Sequence, residues 1–383
     1  MKLVGIELVR VDVPFRHEIG TATLVHRTRS LLYIRVLADE AEGWGECAAL
    51  GEATSVDPST DEVAEAARSR GARRLVDASA ARGGHLPLEA EVAQLFGSSP
   101  VDRQLGAAFE MAVADVELRR AGRSLAASIE VGTGFESMPV GAAVGIPPGH
   151  DLGTLRQQVA EVVGQGAARV RLKIAPGWDT EPVAAVRADH PELALQVDAN
   201  GSYQMEDADR LNELASFGLI CLEQPLPPAD LVAHAELARR IDVPIALDES
   251  LSSPRRVQDA LRNQACAVAC LKPGRLGGVR AARLAHAACV DAGVSVFVGG
   301  FFETGLGRAS NLALAARLAQ DAVGLVGDLA DPATYLEVDP CGYPEVRRGW
   351  VRVPDQPGVG PGPDELTLGH LGAHREWFPA TYT

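Results

Sequence analysis

From Met138 to about Asp328 the chain alternates short apolar runs with stretches whose apolar residues recur at helical spacing, each run followed by a Gly/Pro/Asn-rich break. The runs VRLK, LQVD, ICLE, IALD and VACLK end at Lys173, Asp198, Glu223, Asp248 and Lys272, at intervals of 25, 25, 25 and 24 residues. That rhythm predicts successive βα units. A (β/α)8 barrel uses roughly 31 residues per unit and carries its chemistry at the C-terminal ends of its strands. The five ionisable residues are therefore expected around one mouth.

The first hundred or so residues follow a different pattern. KLVGIELVRVDVPF and SLLYIRVLADEAEGWGECAAL alternate apolar and polar positions as antiparallel strands do, with helical segments near Asp61 to Leu75 and Leu88 to Leu95. GAAFEMAVADVELRRAGRSLAASI is patterned as a helix, is broken at Gly122, and links this α+β cap to the barrel. The Pro/Gly-rich tail VPDQPGVGPGPDEL is expected to return to the cap. The fold class expected is α/β, a (β/α)8-type modified TIM barrel with an α+β capping domain. Its cap spans residues 1–125, completed by about 345–383, and its barrel spans 126–344.

Composition narrows the function. The 36 basic and 51 acidic residues give a net charge of −15, which argues against nucleic acid or an anionic membrane as partner. MKLVGIELVRVDVPF is interrupted by Glu7, Arg10 and Asp12, so it does not read as a signal peptide, and no apolar run reaches the roughly 18 residues of a membrane span. A cytoplasmic enzyme of a small-molecule substrate, assembled as a homo-oligomer, is the expectation. The six cysteines lack zinc spacing and read as buried free thiols, two of them inside predicted barrel strands.

The strand ends carry the candidate chemistry. In VRLK, Arg171 and Lys173 share one face and Val170 and Leu172 the other. A second inward cation at Arg171 is expected to disfavour protonation of Lys173 and fit it to act as a base. Asp198, Glu223 and Asp248 at one mouth would repel one another strongly without a hard cation between them, and Mg2+ suits such oxygen ligands. Mn2+ or another divalent cation can substitute. Lys272 is expected across the barrel from Lys173. In GGFFETGLGRAS, Gly299 to Ser310, glycines precede a helix start whose N–H groups are suited to an anionic substrate group. Asn200, Gly300, Glu303 and Thr304 are the expected substrate contacts. The segment lacks GxGxxG, and no histidine stands at strand seven, VSVFVGG.

LKIAPGWD, QVDAN, EQPL, LDES, KPGRLGG and GGFFETGLGRASN together resemble the enolase superfamily, muconate-lactonizing subgroup, in its o-succinylbenzoate synthase and N-succinylamino acid racemase branch. The likeness runs from GWGEC in the cap to GLGRASN. It implies that Asp198, Glu223 and Asp248 hold Mg2+, which binds a substrate carboxylate, while Lys173 and Lys272 face the two sides of the adjacent carbon. Removing its proton gives an enediolate. For dehydration, the resemblance implies that Lys173 takes the proton and then helps hydroxide leave from the same face, with Lys272 as a stabilising cation. For racemisation, the lysines alternate as base and acid. The syn dehydration of menaquinone biosynthesis is the first expectation and N-acylamino acid racemisation the second. Another cycloisomerase, or a barrel that binds a carboxylate without turnover, ranks below them. Three features depart from the branch: Arg171 stands where lysine is usual, Ala143 occupies a strand-one position where related sequences often carry a serine, and the mouth loop HEIGTATLVHRTRS is longer. Dipeptide epimerases of the subgroup typically carry a DxD at strand eight, and GLVGDLAD offers only Asp328, which counts against that activity.

Overall fold

The computed structural model describes residues 1–129, 134–319 and 325–380. Strands β1 (Leu3–Gly20), β2 (Val25–Ala38) and β3 (Glu42–Glu46) form an antiparallel meander. Its inward residues, among them Ile6, Ile34 and Val36, bury their apolar surface with Leu105, Phe109 and Val113 of the helix Pro100–Ala121. That helix starts at Ser99, whose hydroxyl accepts from the Asp102 N–H at 3.1 Å. It stops at Gly122, where φ is 64° and a side chain would be strained. The glycines of GWGEC let β3 lie against it, since a Cβ on Gly45 would stand 2.0 Å from the Ala108 carbonyl oxygen. The helix expected near Asp61 is Thr60–Ala66, continued through a π turn into Ala72–Ala80.

After β4 (Ser137–Pro139) comes a parallel sheet in chain order. It contains β5 (Gly141–Val144), β6 (Arg169–Lys173), β7 (Ala194–Asp198), β8 (Leu222–Glu223), β9 (Ile245–Leu247), β10 (Val268–Leu271) and β11 (Ser295–Val298). The eighth strand of the expected barrel is reduced to a seam. Gly141 N–H donates to Gly327 O and Asp328 N–H to Val298 O, each at 3.1 Å, so Gly327 and Asp328 join both edges without forming a regular strand. Outward residues such as Val170, Leu172, Leu195 and Val197 pack under the surrounding helices. Inside, Cys221, Ala246, Val268, Cys270 and Phe297 form a small apolar floor beneath the charged strand ends. All six cysteines are buried and free. Strands β12 (Val346–Arg347) and β13 (Trp350–Arg352) pair beside β4, and β14 (His374–Pro379) then returns to pair antiparallel with β1. No helix among the described residues is long and apolar enough to cross a membrane.

Two cap carboxylates plug the N-termini of two barrel helices. Glu46, at the end of β3, accepts from Thr304 N–H at 3.0 Å and Gly307 N–H at 2.9 Å, at the start of the helix Gly305–Leu318. Glu110 accepts from Arg280 N–H at 3.2 Å, at the start of Val279–Asp291. Free N–H groups and the helix dipole favour an anion at both places.

Burial opposes those charges, pushing Glu110 up to about 8 and Glu46 up to about 7 despite the backbone N–H donors. The unfolded chain returns both to about 4.5. Between about pH 5 and 8 the folded protein therefore holds protons that the unfolded chain has released, and stability from these groups falls as pH rises. Glu110→Gln keeps an acceptor and removes one proton equilibrium. Its unfolding free energy, followed by calorimetry across that window, is expected to fall less steeply than the wild type's, by on the order of 1 kcal/mol per pH unit at most. An identical slope would remove Glu110 from this role.

Candidate active site

Register brings the charged strand ends together. Lys173 pairs with Asp198 and Asp198 with Glu223 across β6, β7 and β8. Asp248 follows β9 and Lys272 follows β10, at the same end of the barrel. Lys173, Asp248 and Lys272 reach a cavity of about 750 Å³, while Asp198 and Glu223 lie behind its wall, fully buried. The sequence HEIGTATLVHRTRS, expected as a loop, is instead the far end of the β1–β2 hairpin, with Ile19 opposite His26 and Gly20 opposite Val25. Ile146 N–H donates to Gly20 O at 2.9 Å, which docks the hairpin on the barrel, and Arg16, Leu24 and His26 line the cavity from above.

Asp198, Glu223, Asp248 and Asp328 at this mouth each have a cationic partner. Lys173 Nζ donates to Asp198 Oδ2 at 2.5 Å and to Asn200 Oδ1 at 3.0 Å. Lys272 Nζ donates to Asp248 Oδ2 at 2.8 Å, and its ammonium lies 4.5 Å from the centre of the Phe301 ring. Arg171 Nη1 reaches both Glu223 oxygens at 3.0 Å and its Nη2 reaches Asp328 at 2.6 Å. Burial works against the Lys272 ammonium, but Asp248 more than offsets this and holds it charged. Burial also raises Asp248 and Asp328, yet Arg275 with Lys272, and Arg171 with Arg169, hold these two carboxyls below the usual range. Glu223 goes the other way. Burial, with Asp198 and Asp248 adding repulsion and only Arg171 as a strong counterweight, pushes it up to about 8.

That excess of buried negative charge is what a divalent cation would offset, and hard oxygen donors dominate the set. Ligand atoms of Glu223, Asp248 and Cys270 lie within 4.8 Å of one another, and Asp198 stands outside this trio, held by Lys173. Glu249, absent from the expected set, adds a buried Oε2 without a partner, while its Oε1 accepts from Asn200 Nδ2 at 2.9 Å. Burial, with Asp248 and Asp198, pushes Glu249 up to about 7.

The other expected residues divide. Asn200 and Gly300 border the site. Glu303 and Thr304 do not line the cavity, which corrects their assignment as substrate contacts. Thr304 hydroxyl donates to Glu46 Oε2 at 2.7 Å, and Glu303 accepts from Phe301 N–H at 2.9 Å and Asn311 Nδ2 at 3.0 Å. The helix start does bind an anion, but the anions are the chain's own Glu46 and, on Gly305 N–H, Asp339. Arg171 is paired with two carboxylates, so its charge is not the uncompensated cation expected beside Lys173. Sequence reasoning also passed over Arg275, although it lies inside KPGRLGG. It bridges Asp248 to Asp57 of the cap, with Nε at 2.9 Å and Nη2 at 2.6 Å from the Asp57 oxygens.

A barrel of this kind, with acids and lysines at successive strand ends under a cap, defines a class. The family model described as enolase C-terminal domain-like matches residues 154–367. The chain belongs to that family, whose members among its relatives are enzymes. It is 38% identical to an N-succinylamino acid racemase from an Amycolatopsis species, over 99% of this chain and 100% of that protein. It is 34% identical to o-succinylbenzoate synthase of Geobacillus stearothermophilus, over 92% of this chain and 90% of the relative. A solved enolase-superfamily structure from Listeria innocua superposes with a TM-score of 0.88 at 29% identity, covering 100% of both chains.

Removing Arg171 tests the charge balance directly. Arg171→Met leaves Glu223 with Gln196 alone as a strong local donor and takes one of two arginines from Asp328. Urea denaturation of the metal-free variant is expected to show a loss of about 3–5 kcal/mol, the usual cost of breaking a buried ion pair from one side. A loss below about 1 kcal/mol would mean that the carboxylates are compensated elsewhere.

Proposed function

We propose that the protein catalyses Mg2+-dependent abstraction of the proton next to a substrate carboxylate, with o-succinylbenzoate synthesis by syn dehydration as its principal reaction. The single observation carrying this reading is that two lysines on well-separated strands, β6 and the end of β10, enter one cavity, each bonded to a different strand-end carboxylate. Asp198, Glu223 and Asp248 would hold the metal. Bound there, Mg2+ would supply the positive charge that an enediolate needs as it forms.

The remaining chemistry belongs to the chain. Once Asp198 has another counter-charge, Lys173 would lose its present anchor and its amine would be released to the substrate. Lys173 takes the proton and returns it to the departing hydroxide. Lys272, against the Phe301 ring and beside Asp248, is suited to remain a cation facing the other side. The hairpin walls the cavity from above and would limit the access of water to the reacting carbon. Relatives named o-succinylbenzoate synthase support the dehydration. N-Succinylamino acid racemisation is the second reading, favoured by the 38% identity to the Amycolatopsis racemase.

Metal removal and proton exchange test both. Chelated protein is expected to be inactive until Mg2+ is returned, and Asp198→Asn or Glu223→Gln to weaken metal binding by at least about tenfold. Full activity of metal-free protein would end the ligand assignment. In D2O, proton NMR is expected to show wild-type exchange at the α-carbon of N-succinylamino acids together with dehydration of the cyclohexadiene carboxylate precursor. Lys173→Ala should lower the dehydration by about 10²–10⁴-fold. Lys272→Arg, which keeps the cation, should retain part of the dehydration and lose racemisation. Neither exchange nor dehydration by the wild type would place the substrate outside this branch.

A further inference from the structure

Cys270 belongs at once to the apolar floor of the barrel and to the charged layer above it. It lies on β10 two residues before Lys272, so it shares that lysine's inward face, and it is 1% exposed. Its Sγ has no hydrogen-bond partner among the described residues. What it faces instead is acid, since its sulfur and oxygens of Glu223 and Asp248 all fall within 4.8 Å of one another. Gly299 makes the room, because a Cβ there would stand 2.4 Å from Sγ. Cys221 provides the contrast. It is equally buried and stands two residues before Glu223, yet it lies outside the trio.

We propose that Glu223, Asp248 and the Cys270 thiolate form a second binding mode of the metal centre, selective for thiophilic divalent cations such as Zn2+ and Cd2+. The inference rests on the reading that Glu223 and Asp248 are metal ligands. Three carboxylates make a hard site for Mg2+, whereas two carboxylates and a thiolate make a softer one, and sulfur favours zinc-group ions over magnesium. Asp198 takes no part in the soft mode and stays with Lys173, 2.5 Å away. On binding, the S–H bond is replaced by a sulfur–metal bond and the proton leaves to solvent, with no change of oxidation state. Because Asp198 and Lys173 remain paired, an ion held this way leaves the base occupied. Soft ions therefore compete with Mg2+ and block turnover.

The test is a Cd2+ titration of wild type, Cys270→Ser, Cys221→Ser and Gly299→Ala, read by the ultraviolet thiolate-to-cadmium charge-transfer band and by protons released. Mg2+ binding is measured separately by calorimetry. Wild type and Cys221→Ser are expected to show the band at a single equivalent. Cys270→Ser should lack it, release one proton fewer, and bind Cd2+ at least about tenfold more weakly, with Mg2+ affinity altered by less than about twofold. Gly299→Ala keeps the thiol but crowds it, and should weaken Cd2+ binding even if the serine variant folds poorly. Absence of the band in wild type, or its persistence in Cys270→Ser, overturns the soft mode and leaves the Mg2+ reading standing. Failure of wild type to bind Mg2+ at all would instead overturn the proposed function.

Discussion

The guanidinium of Arg171 is the contact on which the barrel interior depends. Glu223 is fully buried, and an isolated carboxylate there would cost several kcal/mol. Arg171 meets it with one nitrogen and turns another to Asp328, the residue at the seam between β11 and β5. One side chain thus compensates the acid at the centre of the site and fastens the ring where a regular strand is missing. Arg169 reinforces the seam from the same face of β6, donating to Asp328 at 2.8 Å and to Val326 O. The lysines do the corresponding service for Asp198 and Asp248. The strand-end carboxylates are thus paired from within the chain, and Glu249, whose buried Oε2 has no partner, is the exception.

The features legible in the sequence are those written locally. The 25-residue rhythm, the charged residue closing each apolar run and the stop at Gly122 each follow from a few neighbouring residues, and the structure contains all of them. Pairings across the chain left no such trace. Arg171 finds Asp328 157 residues away, Arg275 finds Asp57 218 residues away, and Thr304 finds Glu46 258 residues away. The anion expected at the helix start after GGFFETG illustrates the limit. Dipole and N–H groups were readable there, but which carboxylate would fill the place was decided by the docking of a distant strand. The hairpin was hidden for another reason. Its tip meets solvent on one side and a polar cavity on the other, so the alternation that marks a half-buried strand is weak between His17 and Ser30.

Cap and barrel both build the walls of the cavity. The cap contributes Asp57 behind Asp248, the hairpin over the cavity, and two carboxylates at the feet of barrel helices. The barrel contributes the charged ring. A substitution at Asp57 of the cap therefore reaches Asp248 through one intermediary, Arg275, whereas the hairpin meets the cavity without joining, among the described residues, the ion pairs of the strand ends.

The pairing of β14 with β1 joins Gly5 to Pro379 and Arg10 to His374. During synthesis the first strand leaves the ribosome long before its partner exists, and all seven barrel strands are made in between. One edge of the cap sheet must therefore wait, open, through most of translation. Non-local pairing of this kind slows folding and exposes an unpaired edge to neighbouring chains. Glu7 and Arg10 on β1 put charge along that waiting edge, a feature that discourages its capture by another strand before its own arrives.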